Sequence, residues 1–270
     1  MNWRKWGPAS VSLSIAAVVF VGVSSGAAAA GCHAPLESFR IRSTFTALKA
    51  KLQRREPVRI LAIGSSSTEG AGASSPRKTY PSQLQAKLSA SWRVDTVVTN
   101  AGRSGEVAAA TVNRLQKLLA GDKPDLVIWQ VGTNDALRGE REDALRAAVA
   151  KGVNASLTAG VEMILMDPQY LPSLSERNRY ERYVRIVDDV GSERQVSVLS
   201  RYALMRGWAQ SSPEELAASL SADGLHLSDR GYDCLAGVLA ERLDGAMRRL
   251  PGIASAGASS QERAGTATIE

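Results

Sequence analysis

Val58-Arg59-Ile60-Leu61-Ala62-Ile63-Gly64-Ser65-Ser66-Ser67-Thr68-Glu69-Gly70 joins a short apolar run to a polar turn bounded by glycines. A run this apolar fits a strand buried on both faces, and the turn fits a strand-to-helix connection. Similar runs recur at 94–98, 126–131, 161–166 and 196–199. They begin about 35 residues apart, which is the length of one strand plus one crossover helix. The intervening stretches carry helical stripes: Ala108, Val112, Leu115, Leu118 and Leu119 in one, Leu145, Ala148, Val149, Gly152, Val153 and Leu157 in another. The spacing therefore predicts an α/β fold: a doubly wound, five-stranded parallel sheet with helices on both faces.

Residues 36–55 place Phe39, Phe45, Leu48 and Leu52 near helical spacing, so they are expected to form an amphipathic helix that Pro57 ends. A final helix is expected over 229–249, with Tyr232, Leu235, Ala236, Leu239, Leu243 and Met247 inward and Cys234 on the opposite side. The tail, 251–270, has too little apolar bulk to fold. At the other end, Arg4 and Lys5 precede an apolar stretch from 11 to 23 and then Ala27-Ala28-Ala29-Ala30. This is the layout of a secretory signal, and the stretch is shorter than the roughly 20 residues of a membrane span. The expected organisation is a signal peptide at 1–30, a helical lead-in at 31–57, a main α/β domain at 58–250 and a disordered tail at 251–270. Export, to a periplasm or beyond, follows from that leader.

Composition excludes several classes. The net charge of +6 is spread along the chain with no basic block interleaved with aromatics, and there are only three Phe, so nucleic acid is not an expected partner. Two widely separated cysteines without a histidine cluster make no metal site, and no cofactor is expected. Cys32 and Cys234 have three open states in an exported protein. They can pair, they can stay free, or Cys32 can be acylated, because Ala29-Ala30-Gly31-Cys32 resembles a bacterial lipobox apart from Ala29 in place of its usual Leu. A membrane is a partner only in the acylated case.

In a doubly wound sheet the ligand sits off the carboxyl ends of the strands. Polar segments follow three strands there: 64–70, then Asn100-Ala101-Gly102-Arg103-Ser104-Gly105-Glu106, then Gly132-Thr133-Asn134-Asp135. A fourth, Ser221-Ala222-Asp223-Gly224-Leu225-His226, holds one of the two histidines of the chain. Each alone also reads as turn chemistry or helix capping. Together and in this order they resemble the SGNH (GDSL-type) hydrolase family over residues 58–245. The family's Gly-Asp-Ser block corresponds to Gly64-Ser65-Ser66, its second-block glycine to Gly102, its Gly-x-Asn-Asp block to 132–135 and its Asp-x-x-His block to 223–226. Ser65 stands where the family carries Asp, and the register of Thr68 and Gly70 favours Ser66 over its two serine neighbours.

The resemblance implies a flavodoxin-like sheet and a serine esterase. Ser66 is then the nucleophile, His226 its base and Asp223 the carboxylate that orients the ring. The oxyanion donors it implies are the N–H groups of Ser66 and Gly102 and the side-chain amide of Asn134. Asp135 and Glu69 read as bracing or capping carboxylates, Asp167 as a pre-proline turn residue on the border of the cleft, and Trp129 as core or cleft wall. The expected substrate is an ester of a carbohydrate or a lipid: short acyl groups, acetyl above all, on a cell-envelope or extracellular carbohydrate. A lysophospholipase or thioesterase of the same family is the nearest alternative. A binding module that has lost hydrolysis, with Ser65 as its sign, is the alternative outside the enzymes. Nucleotide binding at the first turn lacks a Gly-Lys-Ser/Thr ending. Nothing in the sequence sets the oligomeric state.

Overall fold

The computed structural model describes Cys32 and residues 34–248. The expected leader, His33 and the tail lie outside the described residues. In chain order the elements are β1 (Phe39–Arg40), α1 (Thr46–Gln53), β2 (Val58–Gly64), α2 (Ser66–Glu69), α3 (Tyr80–Trp92), β3 (Thr96–Gly102), α4 (Ala108–Asp122), β4 (Leu126–Gln130), α5 (Thr133–Arg138), α6 (Glu142–Thr158), β5 (Glu162–Met166), α7 (Arg177–Glu193), β6 (Ser197–Leu199), α8 (Arg201–Ser211), α9 (Pro213–Ser219) and α10 (Asp229–Arg248).

All five expected strands form, and they are parallel in the order β3-β2-β4-β5-β6. This is the doubly wound order of flavodoxin-like folds, in which the first strand sits between the second and the third and opens a crevice at their carboxyl ends. Strand residues alternate between two cores. Ile60, Ala62, Leu126, Ile128, Ile164 and Met166 face a layer that includes Leu48, Leu84, Trp208, Leu235 and Leu239, from α1, α3, α8 and α10. Leu61, Ile63, Val127, Trp129, Met163 and Leu165 face Leu115, Val149, Val153, Val187 and Val190, from α4, α6 and α7. Trp129 is core, fully buried, and packs so closely on α6 that a Cβ on Gly152 would stand 2.2 Å from its ring.

Two expectations fail, the first of them in the lead-in. Residues 36–55 are not one helix: Leu36–Ser38 form a 3-10 turn, Phe39–Arg40 pair antiparallel with β6, and the helix is confined to Thr46–Gln53. The sheet thus has six strands, not five. The cause is tertiary. Phe39 is buried against the sheet edge, and Phe45, also buried, takes a left-handed conformation (φ 53°) that no helix can pass through. A short strand laid along β6 also covers an edge that would otherwise expose unpaired backbone.

The second concerns Cys234, which is 3% exposed rather than open on the back of α10. Cys32 covers it through a disulfide with Cα atoms 5.4 Å apart. Of the three states left open for these cysteines, the structure has the paired one. Among the described residues no helix is long and apolar enough to cross a membrane.

Candidate active site

The turn that carries Ser66 begins where β2 ends. A Cβ on Gly64 would meet Thr68 Oγ1 at 2.6 Å and the Gln130 carbonyl at 2.7 Å, so only glycine lets the chain turn this tightly against β4. Of the three serines that follow, Ser65 and Ser67 are 5% and 4% exposed, whereas Ser66 is half-buried and opens to the cleft. Ser66 is the first residue of α2, and no acceptor lies on its N–H among the described residues.

The turn is braced from another strand. Gln130 closes β4, and its Oε1 accepts from the Ser65 N–H and the Ser65 hydroxyl, both at 3.0 Å, and from Thr68 Oγ1 at 3.3 Å. Ser65 therefore takes part in the brace. On the other side, Gln169 Nε2 donates to the Leu225 carbonyl, and Ser67 Oγ donates to Gln169 Oε1 at 3.4 Å. Neither glutamine was singled out from the sequence. Gln130 had a signal, being the one polar residue that ends an otherwise apolar strand.

The loop from 221 to 228 presents the imidazole. Leu220 and Leu227 bridge antiparallel at its base, and Gly224 takes the left-handed conformation (φ 65°). Asp223 Oδ1 accepts from the N–H groups of Leu225 and His226, both at 2.9 Å, and from Ser221 Oγ at 2.7 Å. Its Oδ2 stands 2.6 Å from His226 Nδ1, and His226 Nε2 stands 2.8 Å from Ser66 Oγ. Partial burial alone would raise the Asp223 pKa. The bonds from the His226 ring and backbone, Ser221 and Leu225 outweigh it and hold the carboxyl well below the usual carboxylate range. A carboxylate at Nδ1 places the proton there, which leaves the Nε2 lone pair facing the Ser66 hydroxyl. The structure thus brings Ser66, His226 and Asp223 into one hydrogen-bonded chain able to move a proton off Ser66.

Asn134 lies in α5, off the end of β4, and is half-buried. Its Nδ2 donates to the Glu106 carbonyl at 2.8 Å, which orients the amide and leaves its second hydrogen. Gly102 is placed differently from the expectation. Its N–H donates to Asn100 Oδ1 at 3.0 Å, so it is already engaged. The absence of a side chain there serves packing, because a Cβ would stand 2.0 Å from the Glu69 nitrogen of the turn that carries Ser66. Three residues on, Gly105 (φ 77°) has no acceptor on its N–H among the described residues and adjoins the Glu106 carbonyl that holds Asn134.

The remaining carboxylates brace. Asp135 is 3% exposed and accepts twice from the Ala108 N–H at the start of α4; burial raises its pKa despite those bonds. Glu69 accepts from the Ser104 N–H at 2.9 Å and ties the turn to the segment after β3. Asp167 does not reach the cleft. It is fully buried, accepts from the Tyr202 N–H at 3.0 Å in the first turn of α8, and burial pushes its pKa up to about 7 in spite of nearby Arg201. Arg201, also fully buried, donates to Thr133 Oγ1 at 3.0 Å beneath α5. Among the described residues no cluster of His, Cys, Asp and Glu could hold a metal ion.

The sequence pattern of the Non-GDSL lipase-like family matches residues 31–249, most of the chain. The chain belongs to this family. It is 29% identical over 132 residues to "Esterase TesA" of Pseudomonas aeruginosa, covering 49% of this chain and 62% of that protein. It is 30% identical over 134 residues to "Arylesterase" of Vibrio mimicus, covering 49% and 64%. The aligned part of this Non-GDSL lipase-like chain thus spans less than two thirds of the length of either relative. Among solved structures, a peptidoglycan O-acetylesterase superposes with a TM-score of 0.64 at 14% identity, covering 78% of this chain and 99% of that one, which is a likeness of fold.

Proposed function

We propose that the chain is an exported serine esterase that hydrolyses short acyl esters, acetyl above all, on a cell-envelope or extracellular carbohydrate. The observation that carries the hydrolytic reading is the unbroken bond chain from Ser66 Oγ through His226 to Asp223 Oδ2. Ser66 Oγ attacks the ester carbonyl carbon as its proton passes to His226 Nε2. The oxyanion is met by the N–H groups of Ser66 and Gly105 and by the Asn134 amide, with Gly105 in place of the engaged Gly102. His226 then gives its proton to the leaving alcohol, and an acyl group remains on Ser66. Water, deprotonated by the same imidazole, attacks that acyl group; the acyl–Oγ bond breaks, His226 returns the proton to Ser66 Oγ and the acid is freed. Asp223 keeps the ring in the productive tautomer and stabilises the imidazolium.

Short acyl groups suit an open site. Ser66 is only half-buried and the Asp223 side chain is 48% exposed. Each further buried CH2 is worth about 0.8 kcal/mol only where apolar surface covers it. The carbohydrate part of the reading draws on the expected export and on the fold shared with a peptidoglycan O-acetylesterase. The Cys32–Cys234 disulfide supports an oxidising compartment, and it leaves Cys32 no thiol to carry a lipid, which favours a protein released after leader cleavage. Hydrolysis of nitrophenyl acetate, butyrate and longer esters by residues 31–250, beside Ser66→Ala, tests the proposal. Turnover that is greatest for acetate and absent in the variant is expected. A rate that climbs with chain length would replace the carbohydrate ester with a lipid, and an inactive wild type would leave a binding module.

A further inference from the structure

Gln169 belongs neither to the triad nor to the oxyanion donors, yet its side chain lies between the two segments that carry Ser66 and His226. It follows β5 through Asp167 and Pro168 and is 1% exposed. Its Nε2 donates to the carbonyl of Leu225, the residue before His226, and its Oε1 takes a longer bond, 3.4 Å, from Ser67, the residue after Ser66. The partners fix which way the amide points, because a carbonyl can only accept and a hydroxyl supplies the donor.

Apart from the His226 Nε2–Ser66 Oγ contact that is to be positioned, the other bonds that shape the loop of His226 are internal to it or close its base. Ser221 N–H donates to the His226 carbonyl at 2.8 Å, Ser228 N–H donates to the Ser219 carbonyl at 3.0 Å, and three donors converge on Asp223 Oδ1. None of them refers the loop to the sheet. Leu227, 1% exposed, anchors the next residue by packing, which has no direction. Tyr232 Oη to the Ala71 carbonyl, at 2.6 Å, and Ser74 on Asp229 link α10 to the segment after α2, further along both segments. The Gln169 amide is thus the directional bond between the strand ends and the peptide just ahead of the imidazole.

We propose that Gln169 is a positioning residue that sets the place of His226 Nε2 over Ser66 Oγ, with its weaker bond to Ser67 keeping the two segments in one register. The rate consequence rests on the esterase reading; the placement of the ring rests on geometry alone. Gln169→Met keeps the bulk and removes both bonds. Gln169→Glu keeps the acceptor for Ser67 but sets a carboxylate oxygen against the Leu225 carbonyl, and on protonation it regains a donor there.

The test counts active sites with a fluorophosphonate, so that unfolded protein does not enter the rate. At about pH 8 both variants are expected to lose about 10- to 100-fold in kcat per site on nitrophenyl acetate with KM changed less than about twofold, the size of effect that a slightly misplaced base produces. As the pH is lowered the Glu variant recovers relative to wild type and the Met variant does not. His33 and His226 are the two histidines of the chain. In protein labelled with 15N-histidine the His226 ring signals move in both variants and stay in place in Gln195→Met, an exposed control remote from the cleft. Unmoved ring signals, or a lower melting temperature with kcat per site within about twofold of wild type, overturn the inference. Ring signals that move in a chain whose wild type hydrolyses no ester uphold the positioning role and remove the esterase reading.

Discussion

Three serines in succession differ by what surrounds them, not by chemistry. Ser65 faces Gln130, Ser67 faces Gln169, and Ser66 alone faces both the cleft and His226. Ser66→Ala is expected to abolish turnover, while Ser67→Ala keeps most of it and Ser65→Ala loses part through the weakened brace. A fluorophosphonate adduct mapped by mass spectrometry checks the choice, and an adduct on Ser65 or Ser67 would refute it. Asn134→Ala is expected to lower kcat by about 10²- to 10³-fold, the usual cost of one oxyanion donor. Its melting curve should stay close to wild type, because the side chain is half-buried and its hydrogen bond goes to a single backbone carbonyl, that of Glu106. Near-normal kcat would reduce Asn134 to a turn residue.

At the scale of elements, the strand ends are held by carboxylates and amides that reach across to the next helix. Asp135 of α5 satisfies the first turn of α4, and Asp167 beyond β5 satisfies that of α8, where orphan N–H groups would otherwise be buried. The second arrangement predicts a pH effect. The Asp167 carboxyl titrates near 7 in the folded chain against 3.8 as an ordinary aspartate, so the folded state keeps a proton that the unfolded chain releases. That contribution to stability is complete below the unfolded value and is lost as pH rises through the folded one. Asn keeps an oxygen for the Tyr202 N–H but does not titrate. The melting temperature of Asp167→Asn, measured against wild type, is therefore expected to improve between about pH 4 and 7 and to level off above. A difference that stays constant across that range would show that Asp167 is charged throughout.

Over the whole molecule, the lead-in is what closes the fold around its sheet edge. It runs from the disulfide past α8, where a Cβ on Gly207 would stand 2.5 Å from Pro35, to the pairing of Phe39 with Leu199. The bridge joins residues 202 apart, so it constrains nearly the whole domain in the unfolded state. Cys234→Ser, or reduction, is expected to cost about 2–4 kcal/mol in urea unfolding at neutral pH. Esterase activity should persist at low denaturant, since the bridge lies on α10 and the lead-in and touches no residue of the triad. Equal stability with and without reductant would mean that the bridge does not form in solution.

The alternation of apolar runs and helical stripes was enough to predict the parallel sheet, because a strand buried on both faces leaves a signature that does not depend on its neighbours. Polar segments at strand ends likewise carried Ser66 and Asn134, since a doubly wound sheet gathers those ends at one crevice, and the polar loop ahead of the last helix carried Asp223 and His226. Other features were decided only by tertiary structure. Phe39 and Phe45 have helical spacing but are claimed by the sheet edge and by a left-handed turn. Cys234 sits on the polar side of α10 and becomes buried because a distant segment lies over it. Gly102 looks like an oxyanion donor in sequence, but its hydrogen is taken by Asn100 and its missing Cβ by the backbone of Glu69. Gln169 matches no pattern and Gln130 shows only as the polar end of an apolar strand, because their roles exist only once two strand ends and two loops meet. Local periodicity records which face of an element is buried; it does not record which atom from elsewhere in the chain arrives to meet it.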